Sequence, residues 1–191
     1  MNNTVIGKRE QILAAASSMI LRNGLQCSMA DVAREAGVAV GSIYRYFPSK
    51  EEMVSAIYER LSERMKEVLV VDHPPDVPPG ERIRRYIADY IRFIVDEPDQ
   101  AVLFEYLASV PPLPSGELHR IFSTISDFTT RLLSEAQEAG VLMDADLQDL
   151  GAFLGGGIRN TLKWRRANGE RISAEDCDRM ATMCWAAIRA Q

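Results

Sequence analysis

Apolar residues recur at helical spacing from one end of this chain to the other. Between residues 9 and 22, Ile12, Ala15, Ala16, Met19 and Ile20 fall on one face, and Gly24 supplies a stop. Ser28 is placed to cap a helix over 29–36 whose buried side carries Met29, Val32, Ala33 and Ala36. In the run AREAGVAV only Gly37 enters a left-handed turn without a side-chain penalty, so a sharp corner is expected there. A third helix over 39–46 stops before Pro48, because the residue preceding a proline is pushed out of the helical region. Ser49 then caps a long helix over 50–70, with Glu52 at the capping-box position.

The second part of the chain continues in the same period. HPPDVPPG (73–80) and PPLPSG (111–116) are linkers. Helices are predicted over 81–95, from Pro98 onward, over 117–138 up to Gly140, over 146–165 and over 174–190. No segment sustains strand alternation, and VLVVD (68–72) reads as a helix end. The expected fold is all-α with about nine helices: a three-helix head over residues 1–50 and a larger helical body over 51–191.

Charge separates the same two parts. The net charge of -5 argues against a polyanionic partner, yet residues 1–50 hold six Lys or Arg against three acids, a net of +3. The remainder nets -8. Phosphate attraction follows the local field of the face presented, so a basic head on an acidic body suits a duplex held by one end. There is no apolar run of 18 residues and no leader-like start, so no membrane contact is expected and a reducing cytoplasm is the default. Cys27, Cys177 and Cys184 form no CxxC unit; Cys177 and Cys184, seven apart, read as small core residues on one helix face, a redox pair being the alternative. His73 and His119 are the only histidines, neither spaced as part of a metal site, and His119 reads as an exposed loop-edge residue. No phosphate-binding or nucleophile motif occurs, so no enzyme, metal or cofactor is expected.

The chemistry concentrates in residues 28–50. A helix-turn-helix works because a first helix braces a second whose outward residues enter the major groove. Ile43 and Phe47, four apart, should face the core, leaving Val40, Gly41, Ser42, Tyr44, Arg45 and Tyr46 to meet the duplex. Val40 suits a thymine methyl, and Gly41 permits close backbone approach. The Ser42 and Tyr44 hydroxyls suit phosphate, and Arg45 suits guanine or phosphate. Lys50 and Ser28 sit at helix N-termini, where free amides also favour phosphate; at Ser28, capping and phosphate compete for one hydroxyl. Lys8 and Arg9 are candidates for flanking-phosphate or minor-groove contact. The alternative is a helical interaction adaptor in which Tyr44 and Tyr46 cover apolar surface.

Ala33-Arg34-Glu35-Ala36-Gly37-Val38, then Gly41-Ser42-Ile43-Tyr44-Arg45-Tyr46-Phe47 and Ser49-Lys50-Glu51-Glu52, resemble the N-terminal region of TetR-family transcriptional regulators. The leading Ile12-Leu13-Ala14-Ala15-Ala16 matches as well, so the likeness spans residues 8–55, while the body matches in length and helicity alone. The resemblance implies a two-fold homodimer on double-stranded operator DNA with an inverted repeat, usually as a repressor released by a small-molecule effector. An activator without an effector is the alternative within that class. It implies phosphate contacts at Ser28, Tyr44, Tyr46 and Lys50 and base readout near Val40, Gly41 and Arg45. Arg45 stands where the family often has an aromatic residue, which leaves its role open between base and phosphate.

In the body, Tyr58, Tyr90, Phe93, Phe104, Leu107, Phe122, Phe128 and Trp164 crowd the central helices. Core packing accounts for most of them. The resemblance implies an effector cavity among them, with an apolar or aromatic ligand preferred because no basic cluster is evident inside. A dimer interface is expected at the C-terminus. Leu147, Leu150, Leu154, Ile158 and Leu162 line one helix side, and Ile172, Cys177, Met180, Cys184, Ala187 and Ile188 the next. Gly151, Gly155, Gly156 and Gly157 each cost about 1 kcal/mol relative to alanine in a helix. Close contact across a two-fold axis is one reason for them; a helix break or a pocket wall is the other.

Overall fold

The computed structural model describes residues 7–109 and 113–190, and of residues 107–109 the backbone alone. Nine α-helices occur among the described residues: α1 Lys8–Asn23, α2 Met29–Glu35, α3 Val40–Tyr46, α4 Lys50–Leu69, α5 Pro79–Asp96, α6 Pro98–Ser109, α7 Ser115–Glu138, α8 Leu147–Ala167 and α9 Ala174–Ile188. A short 3₁₀ turn, Gly24–Gln26, joins α1 to α2. The architecture is all-α, as the periodicity predicts, and boundaries shift by a residue or two. In VLVVD the helix ends at Leu69, with a last bond from the Val70 N–H to the Lys66 carbonyl at 3.0 Å. His119 lies on α7, exposed, and not at a loop edge.

Contacts divide the chain into two compact units, residues 1–61 with 102–119, and residues 62–101 with 120–191. These units change over inside α4, α6 and α7.

In the first unit, Ile12, Leu13, Ala16 and Ile20 of α1 are buried, as are Val32 and Ala33 of α2. Ser28 caps α2 in a complete capping box with Asp31. Gly37 has φ 65°, the left-handed conformation that the corner between α2 and α3 requires. The Gln11 side chain donates to the Ala36 carbonyl at 2.8 Å and ties α1 to that corner. Gly24, at φ 66°, meets a second demand: a Cβ there would run into the Tyr106 hydroxyl and lie 2.9 Å from ring Cζ. Ser55, buried on α4, donates to Glu117 Oε1 at 2.6 Å.

In the second unit, α5 packs on α9 and α8, burying Ile83, Ile87, Ile91 and Ile94. Gly80 allows the Trp185 ring to approach α5, and the Arg84 guanidinium lies 4.6 Å over that ring. The Arg82 side chain bonds the Val77 carbonyl at 2.7 Å and the Pro75 carbonyl at 3.1 Å, pinning the proline-rich linker, and pairs with Glu135 of α7 at 3.0 Å. The chain end is tied back to the segment before α8: the Met143 N–H donates to the Ile188 carbonyl and the Ala190 N–H to the Val141 carbonyl. Ser173 and Asp176 form a second capping box, at α9. Among the described residues, no helix is long and apolar enough to cross a membrane, and no three His, Cys, Asp or Glu side chains converge as a metal site.

Candidate nucleic-acid interface

Ile43 and Phe47 are buried, so α3 is fastened to the head by the side that their four-residue spacing defines. Its other side is open. Tyr44 is half exposed, and Val40 and Tyr46 are exposed beside it. Gly41 and Arg45 are exposed and Ser42 is half-buried. A Cβ built at Gly41 meets nothing within 4 Å, so the absent side chain leaves space outward and relieves no crowding within the chain.

Two of the expected phosphate residues carry internal bonds. The Ser28 hydroxyl donates to Asp31 Oδ2 at 2.6 Å and accepts the Asp31 N–H at 3.2 Å; the Ser28 N–H also donates to Oδ2, at 3.0 Å. These bonds from the Ser28 hydroxyl and N–H, with Arg34 beside them, hold the Asp31 carboxyl below its usual range. Lys50 donates from Nζ to the Leu25 carbonyl at 2.5 Å, which links α4 to the 3₁₀ turn. An ammonium has three donors, so two remain for a phosphate. Of the other head cations, Arg22 pairs with Glu35 and Arg34 with Asp31, which trims the field expected from the +3 sum.

The body residues named for a cavity divide between the units: Tyr58 and Phe104 belong to the first, Tyr90, Phe93, Phe122, Phe128 and Trp164 to the second. Tyr58, Tyr90, Phe93 and Phe128 are buried, and Phe104 and Phe122 are half-buried. The Leu107 side chain lies outside the described residues. Trp164 requires a correction. It is 61% exposed, so it walls no interior space. Sequence reasoning also missed the polar groups among these rings. Thr129 gives its hydroxyl hydrogen to the Ile125 carbonyl, so Tyr86, 2.8 Å away, donates to Thr129 Oγ1. Burial pushes the Tyr86 phenol up to about 12. Arg159 donates to the Tyr90 hydroxyl at 2.7 Å, and Gly155 lies against both side chains.

Burial divides the expected interface list. Leu150, Leu154, Ile158 and Leu162 of α8 are buried within this chain, as are Met180 and Ile188 of α9. They are core because the strongest apolar stripe of α8 is consumed in its own unit. Cys177 and Cys184 are half-buried and not core, with thiols pushed up first by burial. Ala187 is exposed and Gly151 half-buried, the latter facing Leu133 and Thr129 of α7. The open apolar surface overlaps that list at Leu154, Ile158, Met180, Cys184 and Ala187 and adds residues outside it. Phe153 (57% exposed) and Met183 (69%) flank a groove of about 320 Å³ between α8 and α9, which Leu154, Gly157, Ile158 and Met180 also line. The missed signal was the spacing Phe153, Gly157, Thr161, a second face of α8 too poor in large apolar residues to stand out. The glycines do not break the helix, since α8 runs unbroken from Leu147 to Ala167. A Cβ at Gly156 or Gly157 would meet nothing within 4 Å.

Comparison with known proteins agrees with this geometry. A family model described as bacterial regulatory proteins, tetR family, matches residues 12–57, and one described as tetracyclin repressor-like, C-terminal domain, matches residues 76–188. The HTH-type transcriptional repressor KstR of Rhodococcus jostii is 30% identical over 160 residues, covering 77% of this chain and 73% of its own. An uncharacterized HTH-type transcriptional regulator of Haemophilus influenzae is 30% identical over 137 residues, 71% of either chain. Among solved structures, a TetR family transcription regulator from Marinobacter aquaeolei superposes with a TM-score of 0.84 at 17% identity, over 96% of both chains.

Proposed function

Because this chain belongs to the TetR family of bacterial regulatory proteins, and so is a DNA-binding regulator of transcription, we propose that it is a two-fold operator repressor released by a small apolar or aromatic ligand. The observation that carries the DNA contact is the two-sided character of α3. Buried Ile43 and Phe47 hold it, and Val40, Gly41, Tyr44, Arg45 and Tyr46 stand exposed. Tyr44, Tyr46, Ser42, Lys50 and Ser28 contact phosphate, which sets register; Val40, Gly41 and Arg45 meet base edges, which sets sequence. Ser28 has to exchange Asp31 for phosphate to do so.

Dimerisation through the α8–α9 face is supported by Phe153, Met183 and the open Gly156 and Gly157, an apolar surface with no partner in its own chain. Two-fold pairing sets two copies of α3 in successive major grooves about 34–36 Å apart. Repression as the sign of control is supported by the similarity to a transcriptional repressor over three quarters of the chain. Effector control is supported by the aromatic second unit, where Tyr86, Tyr90 and Phe128 lie with ring centroids 6.3–6.4 Å apart beside the Arg159 guanidinium. A ligand releases DNA only if it prefers the head separation that the operator does not.

Selection of bound duplexes from a random library, at two salt concentrations, tests the reading. An enriched inverted repeat is the expected result, and Tyr44→Phe weakens binding to it with the head still folded. No enrichment, with weak retention insensitive to salt, refutes it in favour of an interaction adaptor.

A further inference from the structure

The cationic start of α1 offers more than scattered charge. The Arg9 guanidinium lies over the ring of Phe47, 5.2 Å from its centroid, although 38 positions separate them along the chain. Phe47 directly follows α3, so this stack brings α1 to the end of the helix that carries the exposed Tyr44, Arg45 and Tyr46. Phe47 itself is buried, whereas about half of the Arg9 side chain stays in solvent (51%). A guanidinium beside an aromatic ring spends none of its five N–H donors on a hydrogen bond to a carboxylate or carbonyl there. It can therefore accept the stack and a phosphate together. The neighbouring acid does not hold it. Glu10 is 4.0 Å from Arg9 at the nearest approach and makes its closer pair with Arg60, at 3.1 Å.

We propose that Arg9, held by the Phe47 ring, is a fixed phosphate clamp at the edge of the DNA-binding face, making a sequence-independent contact beside the one that α3 makes. The inference rests on the reading of α3 as the groove-entering helix. Stacking is what separates Arg9 from Lys8. The side chain is oriented before DNA arrives, so less rotamer freedom is lost on binding.

The test is operator affinity of the full-length protein across a salt series for wild type, Arg9→Ala and Arg9→Lys, with melting temperature measured on the same samples. Each phosphate contact contributes about 0.9 to the slope of log K against log salt, so Arg9→Ala in both halves of a two-fold complex reduces the slope by about 1.8. At 0.1 M salt that is a loss of up to about sixtyfold, equal on operator and scrambled duplexes. Arg9→Lys keeps the slope but recovers only part of the affinity, because an ammonium lacks the planar fork. An unchanged slope in Arg9→Ala overturns the assignment, whether affinity holds or falls only with the melting temperature. So does a loss confined to the operator, which would make Arg9 a base reader. If wild type itself binds without salt dependence, the reading of α3 fails and Arg9 falls with it; if wild type binds steeply and Arg9→Ala matches it, only the clamp fails.

Discussion

Truncating Phe153 is the most direct test of where two copies of this chain meet. The side chain is 57% exposed on α8, whereas Leu150, Leu154, Ile158 and Leu162 of the same helix are buried in its own unit. A phenylalanine offers about 200 Å² of surface, so the exposed part is roughly 110 Å². Covering it contributes about 2.8 kcal/mol. Phe153→Ala keeps the Cβ and forfeits about 2 kcal/mol of that per protomer. Two-fold symmetry doubles the loss to about 4 kcal/mol, or about a thousandfold in the dimer dissociation constant. This is a ceiling, since part of the gain from burial is spent on ordering the side chains it covers. Sedimentation velocity over a dilution series reads the constant directly, and thermal melting at low concentration reads the isolated chain. The expected outcome is a dimer that dissociates at far higher concentration, built from a protomer whose own melting is unaltered. A dissociation constant within about threefold of wild type would place the two-fold contact elsewhere and refute the role given to the α8–α9 groove.

Other substitutions probe separate parts of the argument. Gly157→Ala has open space on its own chain and gains about 1 kcal/mol of helix propensity, so the protomer melts higher while the dimer weakens; a stronger dimer would deny close contact at that glycine. Gly24→Ala meets both the left-handed penalty of about 1–2 kcal/mol and the Tyr106 ring, so denaturant unfolding shows a clear loss. In a Tyr106→Leu background only the dihedral part remains, and equal losses in the two backgrounds would remove Tyr106 from the account. Ser173→Ala uncaps α9 at a cost of about 1 kcal/mol, measured by the same unfolding curves, and an unchanged midpoint would show that the cap does not matter. The Ser173 backbone and hydroxyl, then Arg165, hold the Asp176 carboxyl down to about 2 from an ordinary 3.8. A lowered folded value means that this stabilisation is complete above about pH 4 and is lost as pH falls through about 2. Asp176→Asn therefore flattens the acid limb of stability, and parallel limbs in the two proteins would contradict the linkage.

The head is legible in the sequence because its information is local. Ser28 precedes a short helix, Gly37 supplies the positive dihedral at the corner, and Pro48 stops α3, all within 21 residues. Ile43 and Phe47 then orient α3 through their spacing alone. The body is less legible for a reason visible in α8. Periodicity reports the most apolar face of a helix, and there Leu150, Leu154, Ile158 and Leu162 outweigh Phe153, Gly157 and Thr161. A helix that packs in its own chain and also meets a second chain has two such faces, and the stronger one is the core. Reading the strongest stripe as the interface therefore selects residues that are buried in their own unit. Trp164 misleads in the same way: its size suggests the interior, but its register sets it outside.

Sequence also names a functional group without its state. Ser28 and Lys50 match phosphate positions, yet in the free head one hydroxyl is closed in a ring with Asp31 and one ammonium rests on the Leu25 carbonyl. For Ser28 a phosphate has to replace an existing hydrogen bond, so the net gain is the difference between two charge-assisted bonds and not a full one. For Lys50 it adds to spare donors, and the bond to Leu25 steadies the side chain meanwhile. The two positions therefore separate on substitution. Ser28→Ala loses a helix cap whether or not DNA is present, and its cost falls mainly on the stability of α2. The cost of Lys50→Met falls mainly on the duplex, in the salt slope. Similar motif positions thus carry different shares of folding and binding, and only the hydrogen-bond partners of each side chain divide them.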